Sequence, residues 1–225
     1  MGGMQDAPHA SPSPRSPVAL PLLSPSLQLL AQRGDLRRYP KGTLIIQEGD
    51  RGDTLYIIVS GLLRAFSADE TGREITYGVY GPGEYMGEMS LDGGLRSASV
   101  ITQEPSACVV LTRETLTRHI AEHPEFAFEL LAKVIHRARA VTLSAKRLAL
   151  NDVYGRLRLL LTQPPNEACG ADGLFNGRLT HQDVASRIGS SREMVSRLLK
   201  DLERGGYVAQ QRGRLQVLRN LPPRW

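Results

Sequence analysis

Apolar and polar positions follow three patterns in turn along the chain. From Leu36 to Thr112, short apolar runs are broken by glycine-rich turns at Gly49-Asp50, Arg51-Gly52-Asp53, Ser60-Gly61 and Gly81-Pro82-Gly83. These runs predict strands over Thr43–Gln47, Thr54–Ser60, Gly61–Ser67, Glu74–Tyr80, Tyr85–Met86, Ala98–Thr102 and Ser106–Thr112. Many short strands with regular turns predict an antiparallel sandwich or barrel. Cys108 falls within one of these apolar runs and reads as a packing residue. Ahead of the strands, Ser26–Gly34 predicts a short helix capped by Ser26.

The second pattern is helical. Arg113–His119 begins it, Pro124 can open the next helix, and Glu125–Leu150 contains neither Pro nor Gly. Leu131, Val134, Ala138, Val141, Ala145 and Leu148 are spaced alternately three and four apart, an a/d seam. A helix of this length would span roughly 39 Å. It could lie across its own domain's core, but a seam that pairs with a second copy is the preferred reading.

Asn151-Asp152 interrupts the seam, and Asp152 can cap a helix through Leu161. Pro164-Pro165, Gly170, Gly173 and Gly177 then mark a loop containing Cys169. The third pattern covers Thr180–Glu203. Thr180 and Asp183 have capping-box spacing, a helix follows over Gln182–Ile188, and Gly189 permits a turn before a second helix capped by Ser190. Val184, Ala185, Ile188, Val195 and Leu198 supply the contacts between the two helices, the signature of a helix-turn-helix. Arg192, Glu193, Ser196 and Arg197 lie where such a helix enters a major groove. Glu193 has a second reading, since Ser190-x-x-Glu193 is also a capping box; base reading is preferred, and the roles can coexist. Tyr207–Gln211 and Leu215–Leu218 predict a hairpin wing, with Arg212 and Arg214 placed for phosphate contacts.

Charge agrees with that last module. The net formal charge is +5, yet from Asn176 to Trp225 ten Lys/Arg face four Asp/Glu, so the basic surplus sits at the C-terminal end. Two cysteines far apart predict a reducing cytoplasm and exclude a four-cysteine cluster. No apolar run is long enough to span a membrane. The Pro/Ser/Ala-rich residues 1–25 read as a flexible arm without a signal-peptide core.

The chemistry concentrates in Gly83–Val100. Gly87 permits close backbone approach, Arg96 offers a charged fork for phosphate oxygens, and Ser97 adds a hydroxyl. Glu88 would repel phosphate but suits a sugar hydroxyl, with Arg96 balancing its charge. Phosphate donors beside a hydroxyl acceptor describe a nucleotide and its ribose. A plain Glu–Arg ion pair beside a tight loop is the competing reading.

With these motifs placed, Leu36–Leu218 resembles the family of the catabolite activator protein and the fumarate–nitrate regulators. The resemblance implies an α+β fold: an antiparallel β-roll of the cyclic-nucleotide-binding kind, a long dimerisation helix and a C-terminal winged helix-turn-helix. The implied domains are an arm (1–25), an effector-binding roll (26–123), a dimer helix (124–151) and a DNA-binding module (152–225). Gly87, Glu88, Arg96 and Ser97 match the family's phosphate cassette. The resemblance implies that Arg96 and Ser97 hold a cyclic phosphate, Glu88 the ribose hydroxyl, and Met89 and Ser90 backbone contacts. Ser191-Arg192-Glu193-Met194-Val195-Ser196-Arg197 matches the recognition helix, implying TGTGA-like half-sites in palindromic double-stranded DNA. Thr180, Gln182 and Ser191 join the implied DNA-binding set.

One departure stands out. Where cyclic AMP receptors carry adjacent Thr and Ser to read adenine, this chain has Val141 and Thr142, and Val141 cannot donate a hydrogen bond. The insertion between Glu88 and Arg96 is also shorter. The expected function is a cytoplasmic homodimeric transcription regulator controlled by cyclic AMP, with RNA polymerase as a further partner near Thr162–Arg178. Alternatives are a ligand-independent regulator whose roll is an interaction module, or one answering cyclic GMP or cyclic di-GMP. No enzyme is expected, because no nucleophile–base pair, metal triad or P-loop occurs. His119 and His123 lie four apart without a third ligand, so no metal is expected.

Overall fold

In the computed structural model the described residues are 23–162, 179–211 and 214–225. Residues 1–22 of the expected arm (1–25), residues 163–178 of the expected loop with Cys169, and Arg212 lie outside them, while residues 23–25 belong to the fold, with Leu23 buried and Ser24 and Pro25 starting the first helix.

Helix α1 (Pro25–Ala31) starts earlier than its sequence suggests, because Ser24 rather than Ser26 accepts the capping bond, from the Leu27 amide. Then come β1 (Asp35–Tyr39), β2 (Leu44–Ile46), β3 (Thr54–Ser60), β4 (Leu63–Ala68), β5 (Glu74–Tyr80), β6 (Tyr85–Met86), β7 (Ser99–Thr102) and β8 (Ser106–Thr112). They form two four-stranded antiparallel sheets, ordered β1-β8-β3-β6 and β2-β7-β4-β5. Strand β1 is not foreshadowed in the sequence: Asp-Leu-Arg-Arg-Tyr has no apolar run, and only pairing with β8 makes it a strand.

The first sheet is buried on both faces, which explains the unbroken apolar run of β8. Ile58 and Cys108 point between the sheets with Ile46, Leu63, Met86 and Val100. Leu55, Ile57, Val109 and Leu111 point the other way, against Leu27, Leu30, Leu116 and Phe126 of the helices. Period-two side-chain alternation therefore builds two cores from one sheet.

Helix α2 (Arg113–Glu122) leads to α3 (Glu125–Leu150), 26 residues long. Only Phe126 of α3 is buried, while Leu131, Val141 and Leu148 are exposed, so the seam faces outward rather than into the chain's own core. Beyond Asn151, Asp152 caps α4 (Val153–Thr162) through the Gly155 amide. Helices α5 (His181–Ile188) and α6 (Arg192–Arg204) and the hairpin β9 (Val208–Gln211)–β10 (Arg214–Val217) complete a third core around Leu157, Val184, Ala185, Val195 and Leu202. Helix α5 also rests on β5, where the Thr76 hydroxyl donates to Ser186 Oγ at 3.1 Å.

Candidate functional site

Between the roll and α3 lies a cavity of about 410 Å³. Gly87, Glu88, Met89, Ser90, Arg96, Ser97 and Val141, all singled out in the sequence, line it. Thr142 does not: its hydroxyl donates to the Ala138 carbonyl of its own helix at 3.0 Å.

The cassette turns on Gly87, whose φ of 92° starts a 3-10 turn over Glu88–Ser90. A Cβ there would meet the Thr54 carbonyl at 2.5 Å, so close approach and conformation both require glycine. The turn buries Glu88 and Ser90. Ser90 is structural: its hydroxyl donates to the Gly52 carbonyl and accepts from Arg96. Met89 and Ser97 sit at the exposed rim, the Ser97 hydroxyl 3.6 Å from the Met89 sulfur.

Arg96 is 7% exposed, and its terminal nitrogens donate to Gly87 O, Ser90 Oγ, Thr54 O and Thr54 Oγ1 at 2.8–3.1 Å. All four acceptors are neutral, and among the described residues no carboxylate lies within ion-pair distance of it. Glu88 is not its counter-ion, which corrects the expected charge balance. Arg137 takes that role, its Nη1 2.5 Å from Glu88 Oε1, while its Nη2 donates to the Tyr85 carbonyl and the guanidinium lies 4.8 Å from the Tyr80 ring centre. Burial works against the Arg137 charge, and Glu88, helped by Tyr80 and Glu84, outweighs it and raises the pKa. The other oxygen of Glu88, Oε2, is buried without a partner. The wall thus combines a buried cation lacking a counter-charge with a carboxylate oxygen lacking a donor.

Sequence reasoning places Lys133 and Arg137 on faces away from the seam and gives them no role. Their spacing to Val141, four and four, puts all three on one helical face, and that face looks into the roll, where Lys133 pairs with Glu84 at 3.3 Å. Tyr80 on β5 likewise escapes a sequence reading, because nothing local distinguishes it from other strand tyrosines.

In the C-terminal module the Thr180–Asp183 capping box is present, so the Thr180 side chain is committed to starting α5. Gly189 ends α5 with φ 61°. The cap of α6 is Ser191, accepting from the Met194 amide at 3.2 Å, and not Ser190. That shift of one residue places Met194 where a capping-box acid would stand, so the expected Ser190–Glu193 box does not form. Arg192, Glu193 and Arg197 are exposed along the start of α6 and Ser196 is half-buried. Gln182 at the start of α5 and Arg214 on the wing are also exposed. An exposed basic helix held by a preceding helix and followed by a wing is built to enter a major groove.

A nucleotide-sized cavity joined through a long helix to a winged helix-turn-helix defines a DNA-binding protein with a small-molecule-binding domain. Comparison with known proteins agrees. Residues 36–123 match the cyclic nucleotide-binding domain and residues 156–221 the Crp-like helix-turn-helix domain. The chain is 36% identical over 182 residues to the cyclic AMP receptor protein of Thermus thermophilus, covering 80% of this chain and 82% of that one. It is 32% identical to a CRP-like cAMP-activated global transcriptional regulator of Mycobacterium tuberculosis over 76% of this chain and 78% of the relative. Among solved structures, the c-di-GMP responsive global regulator CLP of Xanthomonas campestris superimposes with a TM-score of 0.75 at 26% identity, over 85% of this chain and 97% of CLP. The chain belongs to the CRP family of DNA-binding transcription regulators.

Proposed function

We propose that this protein is a homodimeric transcription regulator whose affinity for palindromic DNA is set by cyclic AMP. The observation that carries the reading is the Arg96–Glu88 wall. A buried guanidinium without a counter-charge suits the cyclic phosphate, and the unpartnered Glu88 Oε2 suits the ribose hydroxyl. Arg96 gives up part of its bonding to Thr54 or Ser90 in doing so. Ser97 at the rim and the amides of Met89 and Ser90 complete the phosphate end. Val141 meets the base by contact alone, and Thr142 reaches the base of the partner subunit's ligand.

The exposed apolar side chains of α3, including Phe128, Leu131, Ile135, Val141 and Leu148, support pairing with a second copy. Two subunits would present two α6 helices to half-sites about 34 Å apart. Arg192, Glu193 and Arg197 read TGTGA-like bases, while Gln182, Ser191, Ser196, Arg212 and Arg214 contribute surrounding contacts. The effector shifts the hinge at Asn151-Asp152 by no more than its preference for one arrangement allows. Polymerase contact through the 163–178 loop, and a cytoplasmic site of action, complete the proposal.

A second reading has its own support. Likeness to the c-di-GMP responsive CLP, together with Val141 in place of a base-reading hydroxyl, favours cyclic di-GMP. Calorimetry with cyclic AMP, cyclic GMP and cyclic di-GMP separates the two. Glu88→Ala and Arg96→Ala should each weaken binding of the active nucleotide at least tenfold. Unchanged binding in both variants refutes the pocket assignment. Leu131→Glu should shift sedimentation from dimer to monomer; a dimer that survives it refutes the α3 seam.

A further inference from the structure

The last four residues, Pro222–Trp225, lie beyond the stretch that matches the helix-turn-helix domain, yet they fold back onto it. Trp225, the chain's sole tryptophan, stacks on Tyr154 of α4 with ring centres 5.8 Å apart and planes at 29°. Its ring also meets Tyr207 at 5.7 Å, edge to face. The Tyr154 hydroxyl donates to the Pro222 carbonyl at 2.7 Å, and Leu221 is buried in the module's core. The Arg219 guanidinium lies 4.4 Å from the Tyr207 ring centre and donates to the Gly205 and Gly206 carbonyls. Tyr207 itself pairs with Leu218 at the base of the β9–β10 hairpin.

A two-stranded hairpin is marginal by itself, and among its described residues this one buries only Val208 and Leu215. Something has to hold its base at a fixed angle to the helices. We infer that Trp225 is a positioning residue: half-exposed, but in ring contact with both Tyr154 and Tyr207, it ties the wing to α4 and so sets where Arg214 meets the DNA backbone relative to α6. The inference rests on the wing's proposed phosphate contact, and it assigns a task to the C-terminal tail. Losing an aromatic pair of this geometry changes an equilibrium constant by roughly three- to tenfold, large enough to measure.

The test compares the wild-type chain, Trp225→Ala and Trp225→Phe. Each is titrated, without nucleotide and with saturating cyclic AMP or cyclic di-GMP, with a duplex carrying two TGTGA half-sites one turn apart and with a scrambled duplex, at roughly 50 to 200 mM salt. Trp225→Ala should lose roughly three- to tenfold in affinity for both duplexes, leaving their ratio unchanged. Its salt slope should be shallower by about 0.9 for each phosphate that the wing no longer reaches. Trp225→Phe should bind within about twofold of the wild type, since a ring still bridges the two tyrosines. The inference is overturned if Trp225→Ala binds with unchanged affinity and slope, or loses affinity at unchanged slope as general destabilisation would cause. It is equally overturned if Trp225→Phe is as weak as Trp225→Ala. A wild-type chain that binds neither duplex, with either nucleotide or without, refutes the DNA-reading assignment instead. The clamp is then judged by hydrogen exchange of the Val208–Gln211 amides, faster in Trp225→Ala if the clamp holds the wing and unchanged if it does not.

Discussion

Replacing Arg137 with methionine tests the charge arrangement of the cavity most directly. The Glu88 side chain is 3% exposed and its ion-pair partner Arg137 is 16% exposed. Removing the guanidinium strands a buried carboxylate, which in comparable sites costs about 3–5 kcal/mol. Methionine keeps most of the buried stem, while removal of the cation from the face of the Tyr80 ring adds about 0.5–1 kcal/mol. Glu88 borders a cavity that water can enter, so the stranded charge should cost somewhat less than that range and the total should come to about 3 kcal/mol. For a roll of this size, about 4–8 °C is lost per kcal/mol, so its melting transition should drop by about 12–24 °C. Differential scanning calorimetry reads this transition beside that of the helix-turn-helix module, which has its own core and should not move. Glu88→Gln/Arg137→Met removes both charges and should regain at least half of the loss. Melting of Arg137→Met within a few degrees of the wild type, or a double variant no more stable than the single, would refute the pairing.

Two further outcomes follow from buried titratable groups. His119 is fully buried, both ring nitrogens lack partners, and burial together with His123 and Arg33 holds its pKa below the ordinary value against the weaker pull of Glu122 and Glu125. Its unfolded form binds a proton more readily, so stability is complete above about pH 6.5 and declines as pH falls through the lower folded value. His119→Phe, which keeps a ring against Phe126, should flatten the pH dependence of chemical denaturation below about pH 6.5; an unchanged profile rules His119 out as its source. Burial pushes the Cys108 thiol up to about 12, so alkylation at neutral pH should reach it only after unfolding. Mass spectrometry showing rapid labelling of Cys108 in the folded chain would contradict its packing between the sheets.

Local chemistry makes much of this molecule legible. Thr54–Ser60, Glu74–Tyr80, Tyr85–Met86 and Ser106–Thr112 are strands, and Glu125–Leu150 a helix, with the limits that their apolar patterns and turn residues imply. The Thr180–Asp183 box can be read because a cap involves only residues three apart. Caps at closely spaced serines are harder to place: Ser24 caps α1 in place of Ser26, and Ser191 caps α6 in place of Ser190. Neighbouring serines offer equal local hydrogen bonding, and packing of the helix body selects between them.

Gly87, Glu88 and Arg96 declare themselves as a motif because a tight turn needs glycine and a buried charge is rarely placed without purpose. Which charge answers which is invisible there, since Arg137 is 49 residues from Glu88 and comes to it only when α3 lies against the roll. The same holds for Trp225, which meets Tyr154 only once the chain has closed on itself. Sequence alone determined the elements, the order of the modules and the candidate ligand cassette, because propensity, capping and turn geometry act over a few residues. Tertiary structure decided the counter-ions, the strand β1 and the closure of the tail, because electrostatic and packing partners are chosen by distance in space.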